Sequence, residues 1–125
     1  MADLPAAVET YISAYNRMDV AGMLGCLTDD VRFENYAGDA LTAEADGKDA
    51  FRALAEMGVA AFKNREQAVR AAITVRDVTL VEIGYRALVA QDLPNGWVAN
   101  QTVAFDGRSL FELRNGLIAK IVDEV

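Results

Sequence analysis

The stretch TDDVRFEN, residues 28–35, is where the chain changes its period. Upstream of it, Val20, Met23, Leu24 and Leu27 recur at helical spacing, and Asp19 stands where a capping residue belongs. After Asp29-Asp30, Val31 and Phe33 alternate with Arg32 and Glu34. That is the period of a strand, whose successive side chains point to opposite faces. The same parity turns Asn35 inward beside the apolar pair. Gly22 and Gly25 weaken the short helix by about 1 kcal/mol each relative to alanine, so it depends on packing. Further upstream, Asp3 and Pro5 suit a helix start, and Leu4, Val8, Tyr11, Ile12 and Tyr15 share one face. Downstream, YAGDALTAEADG reads as a polar loop over 36–47, and a third helix is predicted from about Lys48 to Lys63, carrying Phe51, Leu54, Ala55, Val59 and Phe62.

From residue 68 the pattern is β. Val69, Ala71, Ile73 and Val75 alternate with Arg70 and Arg76, and Val81, Ile83, Tyr85, Ala87 and Val89 form one face of a long strand whose other face holds Glu82 and Arg86. QDLPNG turns the chain, TVAFDGRSLFEL is the next strand, and Asn115-Gly116 turns into LIAKIVDEV. Helices followed by strands predict an α+β fold, with a curved antiparallel sheet and three N-terminal helices on its concave face. No repeat, linker or low-complexity segment interrupts residues 1–125, which read as a single domain.

Composition removes whole classes of function. At 125 residues and 53% hydrophobic, the chain can bury a full core without disulfides or metals. Twelve Lys and Arg stand against 19 Asp and Glu, and a net charge of -7 repels nucleic acid and anionic membranes. No run of about 18 uncharged apolar residues could span a bilayer. The N-terminal MADLPAAVETY lacks a signal-peptide pattern and Cys26 has no partner cysteine, both of which point to the cytoplasm. Cys26 itself reads as a small buried hydrophobe, and Asn100-Gln101-Thr102 as an ordinary polar turn. Histidine is absent, so no Ser-His-Asp relay or His-rich zinc site exists, and acid-base work falls to carboxylates, tyrosines or lysines. Asp29-Asp30 reads as turn chemistry without further metal ligands, and no cofactor motif is present.

Three ordered blocks, YNRMDVAGMLGCLTDDVRFEN, DGKDAFRAL and GRSLFELRNGLIAKI, resemble the NTF2-like superfamily in its SnoaL-like and ketosteroid isomerase-like branch. The resemblance implies a cone-shaped fold, a pocket between the concave sheet and the helices, and a homodimer through the convex face. It does not imply one activity, because the fold hosts isomerases, dehydratases, cyclases, epoxide hydrolases and non-catalytic modules. Carried over from ketosteroid isomerase, the oxyanion tyrosine falls on Tyr11, the general base on Asn35 and the second oxyanion group near Ser109. An amide cannot take up a proton at neutral pH, so that mechanism is not expected here. The limonene epoxide hydrolase-like branch, which has an aromatic, any residue, then asparagine at the strand end and an aspartate in the last strand, is resembled through Phe33, Asn35 and Asp123. Its Arg and Asp pair on a middle strand has no counterpart in Glu82 and Arg86, which have the outward parity.

Strand parity places Asp123 with Ala119, Ile121 and Val125 on an otherwise apolar face, where burial would raise the carboxyl pKa. The expected site therefore has Asp123, Asn35 and Tyr11 as the chemical groups, within hydrogen-bonding reach of one another. Tyr15, Phe33, Ser109, Phe111 and Trp97 are expected to bind a small hydrophobic molecule. Its chemistry would be carboxylate-driven isomerisation, hydrolysis or dehydration. The alternative is a binding or dimerisation module without chemistry.

Overall fold

The computed structural model describes residues 3–125; Met1 and Ala2 lie outside the described residues. In chain order the elements are α1 (Ala6–Asn16), α2 (Val20–Leu24), β1 (Leu27–Ala37), β2 (Ala40–Asp46), α3 (Lys48–Ala61), β3 (Phe62–Val75), β4 (Val78–Val89), β5 (Thr102–Arg114) and β6 (Leu117–Glu124). The fold is α+β. One curved six-stranded sheet runs in the order β2-β1-β6-β5-β4-β3. Every pairing is antiparallel except β1 with β6, so the sheet is mixed rather than wholly antiparallel. The last strand inserts beside the first with Ile118 opposite Leu27 and Ile121 opposite Phe33. A register irregularity between Ile118 and Lys120 turns both isoleucines inward. The simple alternation expected for this strand therefore fails at Ile118, which is buried, and at Val125, which is 48% exposed.

Local chemistry sets the element ends. Asp19 Oδ1 accepts from the Gly22 amide at 2.9 Å, capping α2. Asn115 and Gly116 both have positive φ, 53° and 81°, as a two-residue hairpin turn requires. Val8, Tyr11, Ile12 and Ala14 are the buried face of α1, and Phe51 and Ala55 that of α3. They close on Val31, Val81, Ile83, Phe111, Ile118 and Ile121 from the sheet to form the main core. Cys26 is buried there, its thiol against the Gly22 carbonyl oxygen at 3.4 Å.

Three local expectations differ. The segment expected to be a polar loop contains β2, which pairs with β1 from Arg32↔Asp46 to Ala37↔Ala40. Its inward residues are small (Ala43 and Ala45), so the period of two carries little hydrophobic signal. The third helix stops at Ala61 and β3 begins at Phe62, six residues before the expected β onset at 68. The strand was hidden by its polar inward pair, Arg65 and Gln67. A bulge between Val69 and Ala71 then reverses the parity, so Ala72 faces in while Ile73 and Val75 are 60% and 65% exposed. Among the described residues, no helix is long and apolar enough to cross a membrane.

Candidate functional site

The curvature of the sheet leaves a cavity of about 740 Å³ beneath α1 and α3, its mouth bordered by the segment joining β4 to β5. Aromatic rings from both layers contribute to its wall. Phe33 packs edge-on to Phe51 at 5.5 Å, and Tyr11 lies 6.3 Å from Phe51. Trp97 joins Phe62 and Phe105 at 6.3 and 6.2 Å, extending the wall at the mouth. Phe111 is not part of the lining. It is 1% exposed and supports Tyr11 from below, with centroids 5.8 Å apart.

Asp123 lies inside this cavity. It is opposite Ser109 on β5 and beside Asn35 on β1, the two strands that flank β6. Ser109 Oγ donates to Asp123 Oδ1 at 2.6 Å. Asp123 keeps partial exposure within the cavity, yet the protein packed around its carboxyl desolvates it and pushes its pKa from 3.8 up to about 6, with the Ser109 hydrogen bond acting the other way. The group thus titrates close to neutrality in a chain without histidine.

The expected three-way contact is not formed. Asn35 lines the cavity, yet its Nδ2 donates to Thr42 Oγ1 across β1 and β2 at 2.7 Å, and Ser109 is the group bonded to Asp123. Tyr11 is 3% exposed and in the lining, and its hydroxyl has no hydrogen-bond partner among the described residues. Burial first, then the Asp123 charge, raises its pKa, while Arg65 opposes the rise. Tyr15 donates to the Tyr85 hydroxyl at 3.1 Å and is also shifted upward, chiefly by burial.

Sequence reading missed Arg65. It is 6% exposed, sits on the cavity wall, and holds its guanidinium carbon 3.6 Å from the centre of the Tyr15 ring. Its Nε donates to the Tyr15 carbonyl oxygen at 3.0 Å, in the last turn of α1, where the helix dipole favours a cation. Gln67, two residues on, faces the same way, and its Oε1 is buried without a partner. The signal that could have found this pair is their period-two spacing with Val69, once β3 is known to begin at Phe62. Among the described residues, no group of three or more acidic or sulfur ligands converges to hold a metal ion.

A family profile, the SnoaL-like domain, matches residues 8–121. No curated protein matches the chain. Among solved structures, a candidate polyketide cyclase from a Silicibacter species superimposes with a TM-score of 0.80 at 22% identity, covering 94% of this chain and 84% of that one. A protein of ketosteroid isomerase-like fold from Catenulispora acidiphila, in complex with trimethylamine, gives 0.80 at 16% identity, with 97% and 85% covered. An epoxide hydrolase of the limonene epoxide hydrolase-like type from M. tuberculosis gives 0.77 at 18% identity, with 96% and 80% covered. At these identities the likeness is one of fold.

Proposed function

The chain belongs to the SnoaL-like domain family, and on that premise we propose that its cavity takes up a small, largely hydrophobic molecule and moves a proton on it with Asp123. The observation that carries this reading is a desolvated carboxyl, with its pKa raised to about 6, inside an aromatic cavity. Above that pH Asp123 is a carboxylate able to take a proton from a carbon next to a carbonyl. The electron pair of the broken C–H bond then moves to the carbonyl oxygen. Tyr11, whose raised pKa keeps it protonated, supplies a hydrogen bond to that oxygen. Returning the proton to another carbon completes an isomerisation, and attack of the enolate carbon on a second carbonyl completes a ring closure. Ser109 keeps the carboxylate oriented. Asn35, once released from Thr42, can orient a water or a carbonyl, which extends the same site to hydrolysis or dehydration.

The second reading, binding or dimerisation without chemistry, draws on one observation: the Asn35 amide is engaged with Thr42 rather than with Asp123. In either case we infer that residues 1–125 act as one cytoplasmic domain, paired as a homodimer through the convex face, with no cofactor. Hydrogen-deuterium exchange separates the two. With 2-tetralone in deuterated buffer, the protein is expected to accelerate loss of the enolisable proton signals, with a rate that rises through pH of about 6 and falls to background in Asp123→Asn. Equal rates for the wild type and Asp123→Asn would favour the module without chemistry.

A further inference from the structure

Arg65 poses a problem that the proton chemistry does not use. The residue is only 6% exposed, and none of the ion pairs formed by the described residues includes it. Of the five N–H donors of an arginine, Nε serves the Tyr15 carbonyl oxygen and one N–H on Nη2 makes a weak contact to Met23 Sδ at 3.9 Å. Among the described residues, the remaining donors have no acceptor. A buried cation is normally paired, because removing it from water is costly unless charge and hydrogen bonds replace the lost hydration. The C-terminal end of α1 and the Tyr15 ring answer part of that cost. No other anion contributes.

The surroundings are shaped to keep the guanidinium where it is. Gly58 lies on α3 over Nη1, and a Cβ there would stand 3.1 Å from that nitrogen. Glycine is unfavourable inside a helix, and here the missing methyl leaves the Nη1 side of the fork open. Beside it, Gln67 presents a buried side-chain amide without a partner for its oxygen. The two polar groups border the same cavity wall, with aromatic rings on either side.

We propose that Arg65, flanked by Gln67, receives the anionic group of the ligand, so that this cavity takes an amphipathic acid: an apolar body carrying a carboxylate or a similar planar oxyanion. A guanidinium fork matches such a group in two parallel hydrogen bonds. The ligand's anion occupies the Arg65 end, which leaves its body to reach Asp123. Tyr11, Arg65 and Asp123 all line this one cavity. The net charge of -7 does not oppose this, because surface charges are screened beyond about 8 Å at physiological salt while the partner at contact is not. The inference deepens the reading above by naming the ligand class of that cavity, and it concerns binding alone.

Isothermal titration at pH 8 with 2-naphthoate and its neutral analogue 2-naphthamide tests it. The wild type is expected to prefer the carboxylate by at least about tenfold, the worth of one well-formed charged hydrogen-bonded pair. Arg65→Met should erase the preference. Gly58→Ala, which keeps the charge but crowds Nη1, should reduce it severalfold, and this variant decides the matter if Arg65→Met does not fold. Asp123→Asn removes a like charge from the same cavity and should keep or increase the preference, so loss of proton exchange in that variant and loss of carboxylate selectivity remain separate results. Absence of saturable naphthoate binding, equal affinities for the two probes in the wild type, or an undiminished preference in Arg65→Met or Gly58→Ala would overturn the proposal.

Discussion

Ser109 and Asp123 face each other across β5 and β6, and the serine hydroxyl donates to the aspartate at 2.6 Å. The hydrogen bond stabilises the ionised carboxyl, whereas burial favours the neutral one, and burial has the larger effect. Ser109→Ala should therefore move the Asp123 midpoint upward from about 6. Carbon NMR of the labelled carboxyl reads this directly; a midpoint that falls would show that Ser109 acts otherwise.

The same carboxyl makes stability depend on pH. Its folded pKa of about 6 lies above the ordinary value of 3.8, so between those pH values the folded chain holds a proton that the unfolded chain has lost. Stability from this group is full below pH of about 4, declines as pH rises to about 6, and is level beyond. Two pKa units correspond to about 3 kcal/mol at most, less where cavity water relieves the charge. Asp123→Asn should melt higher than the wild type at pH 8 and near it at pH 4. A variant that melts lower at pH 8 would mean that the carboxylate is compensated.

Asn35 occupies the register position beside Asp123 on the neighbouring strand. A Δ5-3-ketosteroid seated with its reacting carbon at Asn35 should bind without appreciable isomerisation by the wild type, since an amide is no base there and Asp123 stands on the neighbouring strand. Asn35→Asp sets two carboxylates side by side, so one of them should titrate above the wild-type Asp123 midpoint, and the variant should lose stability at pH 8 rather than at pH 4. Weak isomerase turnover in Asn35→Asp would be a gain of function; wild-type turnover at enzymatic rates would place the base elsewhere.

Tyr11 separates packing from chemistry. Its ring is wedged between Phe51 and Phe111, while its hydroxyl has no partner among the described residues. Tyr11→Phe keeps the ring and should leave the melting temperature unchanged or slightly raised, because no hydrogen bond is lost. Proton exchange on a ketone should drop by 10²-fold or more if the hydroxyl serves a developing oxyanion, on the order of one such donor's effect. Unchanged exchange would remove Tyr11 from the mechanism.

The convex face carries exposed Leu80, at 49%, and Ile73 next to Leu110 and Val122, with Glu82 and Arg108 at hand. Apolar area with both charge signs suits a two-fold self-contact. Sedimentation at micromolar concentration is expected to give a dimer, and Leu80→Arg a monomer with the same fold. A monomeric wild type would refute this.

The fold was legible wherever the period was strong. Tyr11 and Tyr15 on α1, the inward face of β4 and the Asn115-Gly116 turn follow from apolar spacing and turn chemistry, whereas on β6 the alternation placed Ile121 and Asp123 but missed buried Ile118, across a register irregularity, and misplaced exposed Val125. β2 was not legible because alanines mark its inner side, and the start of β3 was masked by inward Arg65 and Gln67. Those two residues are also why the site was only half read. Asp123 stood out as a charge in an apolar row, whereas Arg65 was concealed in a polar stretch, KNREQ, that looked solvent-exposed. What hid the strand is what makes it interesting, since local rules tend to be broken where function needs a buried polar group.

β6 is last in sequence but lies between β1 and β5. Until it is in place, β1 and β5 are two bare edges, and the hairpin of β1 and β2 has no hydrogen-bonded tie to the other strands. A chain cut before Leu117 would keep all three helices and five of the strands, yet would expose two pairing-competent edges prone to association with other molecules. It would also lack Asp123. The strand that closes the sheet is the one that brings the titrating carboxyl, so completing the architecture and placing Asp123 in the cavity are a single event, and a partly assembled chain leaves the proposed site without its carboxylate.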